Sequence, residues 1–270
     1  MRFGLSTGSF LLSPLSQSFA MARVAGFDGL EVIAGPQVAL GGARRVKALS
    51  RAWEVPVLSV HQPLFPLPGW LRLSERVRRC GELARDLTAN VATVHAAPWL
   101  VAGGPWSEGF ARLAGEARLV ALENVPVVAP ARLQPAAAVG YLAAFEAFVA
   151  AHDLRVTLDV AHAAEGGPDL LAAYETLKPR IANVHLSDTA RNRFCPPSHL
   201  MLSLFVHHRL PERGRLPLRE LLRRLGADCY PGLVTFEISP SAMSFWSFRR
   251  MAAELRAALD FCRSASCARA

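Results

Sequence analysis

Short apolar runs alternate along the whole chain with longer amphipathic stretches. The apolar runs predict eight β-strands, at Phe3–Thr7, Gly29–Ala34, Val55–His61, Val91–Ala96, Leu119–Val125, Arg155–Val160, Ile181–Ser187 and Leu233–Ile238. The stretches between them are rich in alanine and leucine and predict helices near 16–26, 39–52, 73–88, 107–117, 135–151, 168–177, 217–225 and 243–263. Strands that alternate with helices in this way indicate an α/β fold with a parallel sheet.

The predicted strands are almost continuously apolar, which is typical of a sheet covered on both faces. Eight such units close most naturally into a (β/α)8 TIM barrel, and we expect one barrel domain over residues 1–270. An open, doubly wound sheet is the alternative. Neither GxGxxG nor GxxxxGK[ST] follows a predicted strand, so no phosphate-binding loop favours the open sheet.

Six of the apolar runs end on a histidine or a carboxylate. These residues are His61, His95, Glu123, Asp159, His185 and Glu237. Burying so many polar groups at the ends of hydrophobic strands is costly unless the groups are paired or bind something. Barrel enzymes place their sites at the carboxyl ends of several strands, and imidazole with carboxylate suits zinc, manganese, iron or cobalt. The sequence therefore predicts a divalent metal centre at this rim.

Composition fits an enzyme with a large core, and the basic charge leaves phosphate, sugar-phosphate or nucleic-acid partners open. Hydrophobic residues make up 51% of the 270 residues, and the mean hydropathy of +0.22 argues against disorder. The net charge of +8 comes from arginines that are spread along the chain. No basic run is interleaved with aromatic residues, as binding of a single strand would favour. We interpret these arginines mainly as a solvated surface.

Cysteine usage and hydropathy favour a soluble protein of the reducing cytoplasm. The five cysteines are scattered, show no CxxC spacing, and lie at Cys80, Cys195, Cys229, Cys262 and Cys267. This pattern gives neither a disulfide framework nor a zinc finger. Polar residues interrupt the apolar N-terminal region, and no apolar run reaches the length of about 18 residues that spans a bilayer. We expect no membrane association, and a homo-oligomer is compatible with the sequence.

Several short motifs occur in a characteristic order. They are GFDGLEV at Gly26–Val32, Glu123-Asn124, Asp159-x-x-His162, His185-x-x-Asp188 and the eighth-strand Glu237. Through these motifs, essentially the whole chain resembles the xylose-isomerase-like barrel superfamily, which contains sugar isomerases and epimerases together with endonuclease IV. The resemblance to ketose epimerases implies that one divalent ion is held by a Glu, an Asp, a His and a Glu on four strands. The matching residues are Glu123, Asp159, His185 and Glu237.

The same resemblance implies a reaction. The ion would polarise the carbonyl and a hydroxyl of a small sugar or a related polyol, and Glu123 and Glu237 would move the proton through an enediolate. His162 and Arg191 match positions that contact substrate oxygens. Glu31 and His208 are further candidates for binding the substrate. The alternatives are an exposed loop arginine for Arg191 and an ion-paired rim residue for Glu31.

Resemblance to endonuclease IV implies a different enzyme, a zinc-dependent phosphodiesterase that uses metal-activated water and binds nucleic acid. His61 and His95 match its additional metal ligands, and His162 matches a ligand of its third zinc. That zinc also uses an Asp-x-His motif, in which Val206 stands here at the aspartate position, so that His207 would have to substitute. The expected number of ions is therefore one for the epimerase and two or three for the phosphodiesterase. A non-catalytic barrel that keeps metal for stability or ligand sensing is a third alternative.

Overall fold

Eight parallel strands form a closed barrel in this computed structural model, which describes residues 1–11, 13–96, 105–117, 119–125, 134–165, 169–190 and 206–267. The strands are β1 (Arg2–Ser6), β2 (Gly29–Ile33), β3 (Val57–His61), β4 (Val91–Ala96), β5 (Val120–Asn124), β6 (Arg155–Asp159), β7 (Ile181–Leu186) and β8 (Leu233–Phe236). Each strand pairs in parallel with the next, and β8 closes the barrel on β1. The predicted TIM barrel is confirmed, and the open sheet is excluded.

Helices surround the barrel and follow the strands in sequence. They are α1 (Leu15–Ala25), α2 (Pro36–Trp53), α3 (Leu73–Leu87), α4 (Pro105–Glu116), α5 (Gln134–Ala151), α6 (Val160–Glu165), α7 (Leu170–Leu177), α8 (Leu218–Ala227) and α9 (Phe248–Cys267). The first and last residues of each strand agree with the predicted boundaries to within two residues. Helix α6 was not predicted, because it starts at Val160, directly after the last residue of β6, with no turn signal between the two elements. Among the described helices, none is both long and apolar enough to cross a membrane.

The barrel interior is polar immediately below the rim that carries the predicted metal ligands. Side chains alternate between the two faces of a strand, so the residue two positions before each strand-end ligand also points inward. Five of these six residues are buried and polar, and we call them the inner polar layer: Ser59, Thr93, Thr157, Asn183 and Thr235. Thr93 and Thr157 share a hydrogen bond of 3.0 Å, and Thr235 donates to the Asn183 amide oxygen at 2.9 Å. The hydroxyls and the amide thus provide hydrogen bonds inside the barrel.

Candidate metal centre

The structure brings all six predicted strand-end ligands together at the carboxyl end of the barrel. They form two overlapping clusters, in each of which the potential ligand atoms lie within 4.8 Å of one another. The acidic cluster consists of Glu123, Asp159, His185 and Glu237. The shared cluster consists of His61, His95 and Glu123. Glu123 on β5 belongs to both.

The atoms of the acidic cluster converge without satisfying one another. The His185 Nδ1 atom lies 3.0 Å from Glu237 Oε2 and 3.4 Å from Glu123 Oε1. Even so, His185 Nδ1, Glu237 Oε2 and Asp159 Oδ2 are buried and have no hydrogen-bond partner among the described residues. Buried polar atoms in this condition cost free energy that a cation would remove. One imidazole and three carboxylates therefore fit a divalent ion of the zinc, manganese, iron or cobalt type.

Asp159 is aimed at the cluster by its local backbone. Its Oδ1 atom accepts a hydrogen bond of 2.8 Å from the backbone N–H of His162 in the first turn of α6, and Oδ2 is left for the cluster. The Asn124 side chain also bridges the ends of two strands, because it donates to the Asp159 carbonyl and accepts from the Asp159 N–H, each at 2.9 Å. The Asp159-x-x-His162 spacing thus reflects a capped helix start.

In the shared cluster, two imidazole nitrogens converge on one carboxylate oxygen. His61 Nδ1 lies 2.7 Å from the Gln62 carbonyl oxygen, which can only accept, so Nδ1 carries the proton and Nε2 faces the cluster. That Nε2 atom lies 3.0 Å from Glu123 Oε2 and 3.1 Å from His95 Nε2. A ligating histidine commonly donates its other N–H to a carbonyl in this manner. The geometry suits a second ion beside the first.

A third cluster lies next to the first two. This histidine cluster consists of His162 on α6 and the neighbouring residues His207 and His208, whose potential ligand atoms also lie within 4.8 Å. All three side chains are buried. His208 has a φ angle of 54°, a left-handed conformation that is uncommon for a residue with a side chain and tends to occur at functional sites. The sequence pointed to His207 only as a substitute for the missing aspartate of a third zinc set, and the structure places it beside His162 and His208.

Asp188 fixes the loop that carries His207 and His208. Its carboxylate accepts hydrogen bonds from the backbone N–H groups of Thr189 at 2.8 Å, Gly214 at 2.9 Å and Leu216 at 3.0 Å. A Cβ atom at Gly214 would lie 2.1 Å from the Thr189 carbonyl oxygen, so only glycine fits there. The loop is therefore held against the end of β7, which carries His185.

Protonation of the acidic cluster follows from its excess of carboxylates. Burial raises the pKa of Glu123 and of Glu237, but the neighbouring His185 lowers both values. The net effect is that the pKa of each carboxyl lies below its usual range. Burial and the negative charge of Glu123 hold the pKa of Asp159 well above its usual value. For His185, burial lowers the pKa, but Glu31, Glu123 and Glu237 raise it well above normal. The cluster thus retains protons on Asp159 and His185 unless another positive charge is present.

In the histidine cluster, burial lowers pKa values, whereas those of Asp159 and His185 are raised. Burial lowers the pKa of His162 well below its usual value and lowers that of His208 to about 4. Both imidazoles are therefore neutral at pH 7, which is the form of histidine that binds a metal ion. The shared cluster is intermediate, since burial lowers the pKa of His61 but the hydrogen bond to Glu123 raises it above its ordinary value.

The predicted substrate contacts have different outcomes. His162 and His208 lie in the histidine cluster next to the acidic cluster. Glu31 is completely buried inside the barrel, below the ligands, and does not reach the open rim. Arg191 lies outside the described residues. Contact of these four residues with a substrate remains a prediction.

Comparison with known proteins gives a consistent picture of the fold. A family model described as xylose isomerase-like TIM barrel matches residues 19–265. An uncharacterized protein of Mycobacterium tuberculosis is 29% identical over 269 residues, and the match covers 90% of each chain. A fructoselysine 3-epimerase of Escherichia coli O157:H7 is 24% identical over 268 residues, covering 88% of this chain and 90% of the epimerase. The structure of D-psicose 3-epimerase from Clostridium cellulolyticum H10 with D-tagatose superposes with a TM-score of 0.68 at 18% identity, covering 98% and 99% of the two chains.

Proposed function

Because the chain belongs to the family of xylose isomerase-like TIM barrels, we propose that it is a divalent-metal-dependent isomerase or epimerase of a small sugar or a related carbonyl or polyol compound. The observation that carries this proposal is the acidic cluster, in which Glu123 and Glu237 lie on different strand ends around His185. The likeness to fructoselysine 3-epimerase over most of both chains supports the same reaction class. The expected partner is a small sugar-like molecule.

In this proposal, Glu123, Asp159, His185 and Glu237 hold the ion. When bound, the ion polarises the carbonyl and the neighbouring hydroxyl of the substrate and so acidifies the C–H bond between them. Glu123 and Glu237 are the proton-transfer groups, since their lowered pKa values keep a carboxylate ready to accept a proton. One of them takes the proton from one face of the carbon, and the other returns a proton to the opposite face. His185 and Asp159 keep the cluster in place.

Exchange of substrate hydrogen with solvent tests this reaction directly. The full chain, loaded in turn with Mn²⁺, Co²⁺ and Zn²⁺, is incubated with a panel of ketoses in D₂O. Proton transfer next to the carbonyl predicts deuterium incorporation at that carbon and the appearance of an epimer or aldose, both visible by NMR. A metal-loaded, folded protein that exchanges no hydrogen on any ketose of the panel would contradict the proposal.

A zinc-dependent phosphodiesterase resembling endonuclease IV is the second candidate. It is favoured by the shared and histidine clusters, which add ligand sets for a second and a third ion beside the acidic cluster. Metal-activated water would then attack a phosphodiester, and the partner would be nucleic acid. In the third ligand set, His207 would have to act in place of the missing aspartate, and it lies close to His162 and His208.

Metal counting separates the two candidates. Elemental analysis of the purified protein gives one ion for the epimerase and two or three for the phosphodiesterase. The double variant His61→Ala/His95→Ala removes two ligands from the shared cluster and leaves the acidic cluster complete. If the epimerase is correct, this variant retains its single ion and the wild type does not cleave an abasic-site duplex. Cleavage by the wild type that disappears in the double variant would instead favour the phosphodiesterase.

A further inference from the structure

Glu31 contacts His185 from below the metal centre. The Glu31 side chain starts on β2 and is completely buried, as is His185 on β7. The Glu31 Oε2 atom lies 3.1 Å from the Nε2 atom of His185. The opposite nitrogen of the same ring, Nδ1, faces the carboxylates of the acidic cluster. The imidazole therefore lies between a single carboxylate below and the candidate metal site above.

The inner polar layer holds the Glu31 carboxylate in place. Ser59 donates its hydroxyl to Oε2 at 2.9 Å, and the Asn183 amide donates to the same atom at 3.3 Å. Asn183 is itself fixed, because its amide oxygen accepts the Thr235 hydroxyl. This hydrogen bond decides which way the amide points, with its NH₂ group toward Glu31. The orientation of the carboxylate is therefore determined by three strands besides its own.

These contacts select one tautomer of His185. The buried Glu31 carboxylate is an acceptor, so the nitrogen facing it carries a hydrogen. A neutral imidazole with its hydrogen on Nε2 has its lone pair on Nδ1, directed into the acidic cluster. A carboxylate behind a ligating histidine orients the ring and increases the basicity of the ligand nitrogen. Glu31 has no access to solvent, which argues against a direct contact with substrate.

We propose that Glu31 is a positioning residue that holds His185 with Nε2–H toward its own carboxylate and the Nδ1 lone pair toward the metal ion. This inference rests on the metal-binding part of the proposed function and is independent of the substrate. It gives the glutamate of the GFDGLEV motif a role inside the barrel. Ser59 and Asn183 support Glu31 in turn.

Co²⁺ binding to the full chain tests the role of Glu31. Titrations of wild type, Glu31→Gln and Glu82→Gln are followed by the visible absorption of bound Co²⁺. Glu31→Gln keeps the size of the side chain but lacks the charge, and we expect Co²⁺ to bind about 10–100-fold more weakly. Glu82→Gln is the matched control, since it makes the same change in an exposed ion pair with Arg78, away from the metal centre. Its affinity should stay close to that of wild type.

A second measurement distinguishes positioning from a general loss of stability. In protein labelled with ¹⁵N-histidine, long-range ¹H–¹⁵N spectra recorded with Zn²⁺ report which nitrogen of His185 carries the hydrogen, and His185→Gln identifies its signals. We expect the Nε2–H form in wild type and a mixture in Glu31→Gln, with far-UV circular dichroism unchanged. Wild-type affinity and an unchanged tautomer in Glu31→Gln would overturn the inference alone. Failure of the wild type to bind Co²⁺ would overturn the proposed function as well.

Discussion

The acidic cluster and the histidine cluster lie side by side but are built in different ways. The acidic cluster takes its ligands from the ends of four barrel strands, whose parallel pairing fixes their relative positions. The histidine cluster takes one residue from α6 and two from a loop that is fastened to the barrel through Asp188. One cluster contains three carboxylates, and the other contains none. Neighbouring ligand sets on one rim can thus differ in charge and in rigidity.

This difference has chemical consequences. The acidic cluster has more negative charge than its own groups can neutralise, so it holds protons on Asp159 and His185. In the histidine cluster, burial keeps His162 and His208 neutral at pH 7. Carboxylate-rich sites accept hard ions such as Mn²⁺, whereas a site of imidazoles alone favours Zn²⁺, Cu²⁺ or Ni²⁺. Four measurements test this difference between the acidic cluster and the histidine cluster.

The largest effect is expected in the acidic cluster. Glu237→Gln keeps the shape of the side chain but removes the proton acceptor, so we expect turnover of the ketose substrate to fall by about 10²–10⁴-fold with the fold intact. The measurement is kcat together with far-UV circular dichroism. Glu82→Gln, the same change in an exposed i,i+4 ion pair with Arg78, is the matched control. A fully active Glu237→Gln would remove this residue from proton transfer.

The histidine cluster should dominate the response to acid. With chelator present, the pKa of His208 is lowered to about 4, against about 6.5 in the unfolded chain. As the pH falls from 6.5 to 4, His208 becomes protonated in the unfolded chain but stays neutral in the folded protein. The free energy of unfolding therefore decreases. The loss is roughly 3 kcal/mol at most. Urea unfolding at pH 7 and pH 4.5 measures it, and His208→Gln should reduce the difference.

In the acidic cluster, His185 makes the free energy of unfolding depend on pH in the opposite direction to His208. Its raised pKa gives a contribution to stability that is present below the unfolded pKa of about 6.5 and is lost as the pH rises through the folded value.

The control for the His208 measurement is His152→Gln, which changes an exposed histidine. If the free energy of unfolding depends equally on pH in wild type, His208→Gln and His152→Gln, then the pKa of His208 is not lowered in the folded protein.

A smaller effect is expected at the loop attachment. Asp188→Ala leaves three backbone N–H groups without their acceptor, and we expect the free energy of unfolding to fall by about 2 kcal/mol. Asp188→Asn is the matched control, because an amide oxygen can still accept from Thr189 and Leu216. Chemical unfolding gives the loss, and Zn²⁺ titration should show that His207 and His208 lose affinity while the acidic cluster keeps its Mn²⁺. Equal weakening of both clusters would argue against a local role for Asp188.

The subtlest difference is the number of protons released on metal binding. An ion that enters the acidic cluster should displace protons from Asp159 and His185, whose pKa values are raised, whereas His162 and His208, whose pKa values are lowered, should release almost none at pH 7. Calorimetry with Mn²⁺ in buffers of different ionisation enthalpy measures the release. Asp159→Asn should lower the number of protons released. No buffer dependence for Mn²⁺ would contradict the protonation state assigned to the acidic cluster.

Most of the barrel, and the convergence of six strand-end side chains on one rim, could be predicted from the sequence. A buried parallel strand is a continuous apolar run, so a polar residue at its end is conspicuous, as at His95 and Glu123. The loop ligand His207 could not be placed in this way, because its position depends on contacts made through Asp188 and Gly214. Glu31 was expected at the rim because the sequence does not give the stagger between strands, which decides the depth of a side chain in the barrel.

Glu123 directs one carboxylate oxygen to each of two clusters: Oε1 lies beside His185, and Oε2 lies beside His61 and His95. Ions bound on its two sides would be thermodynamically linked, and each would change the affinity for the other by the same factor. A substitution of Glu123 would therefore alter both equilibria at once. The two sites can be separated only through residues that they do not have in common, such as His95 and Asp159.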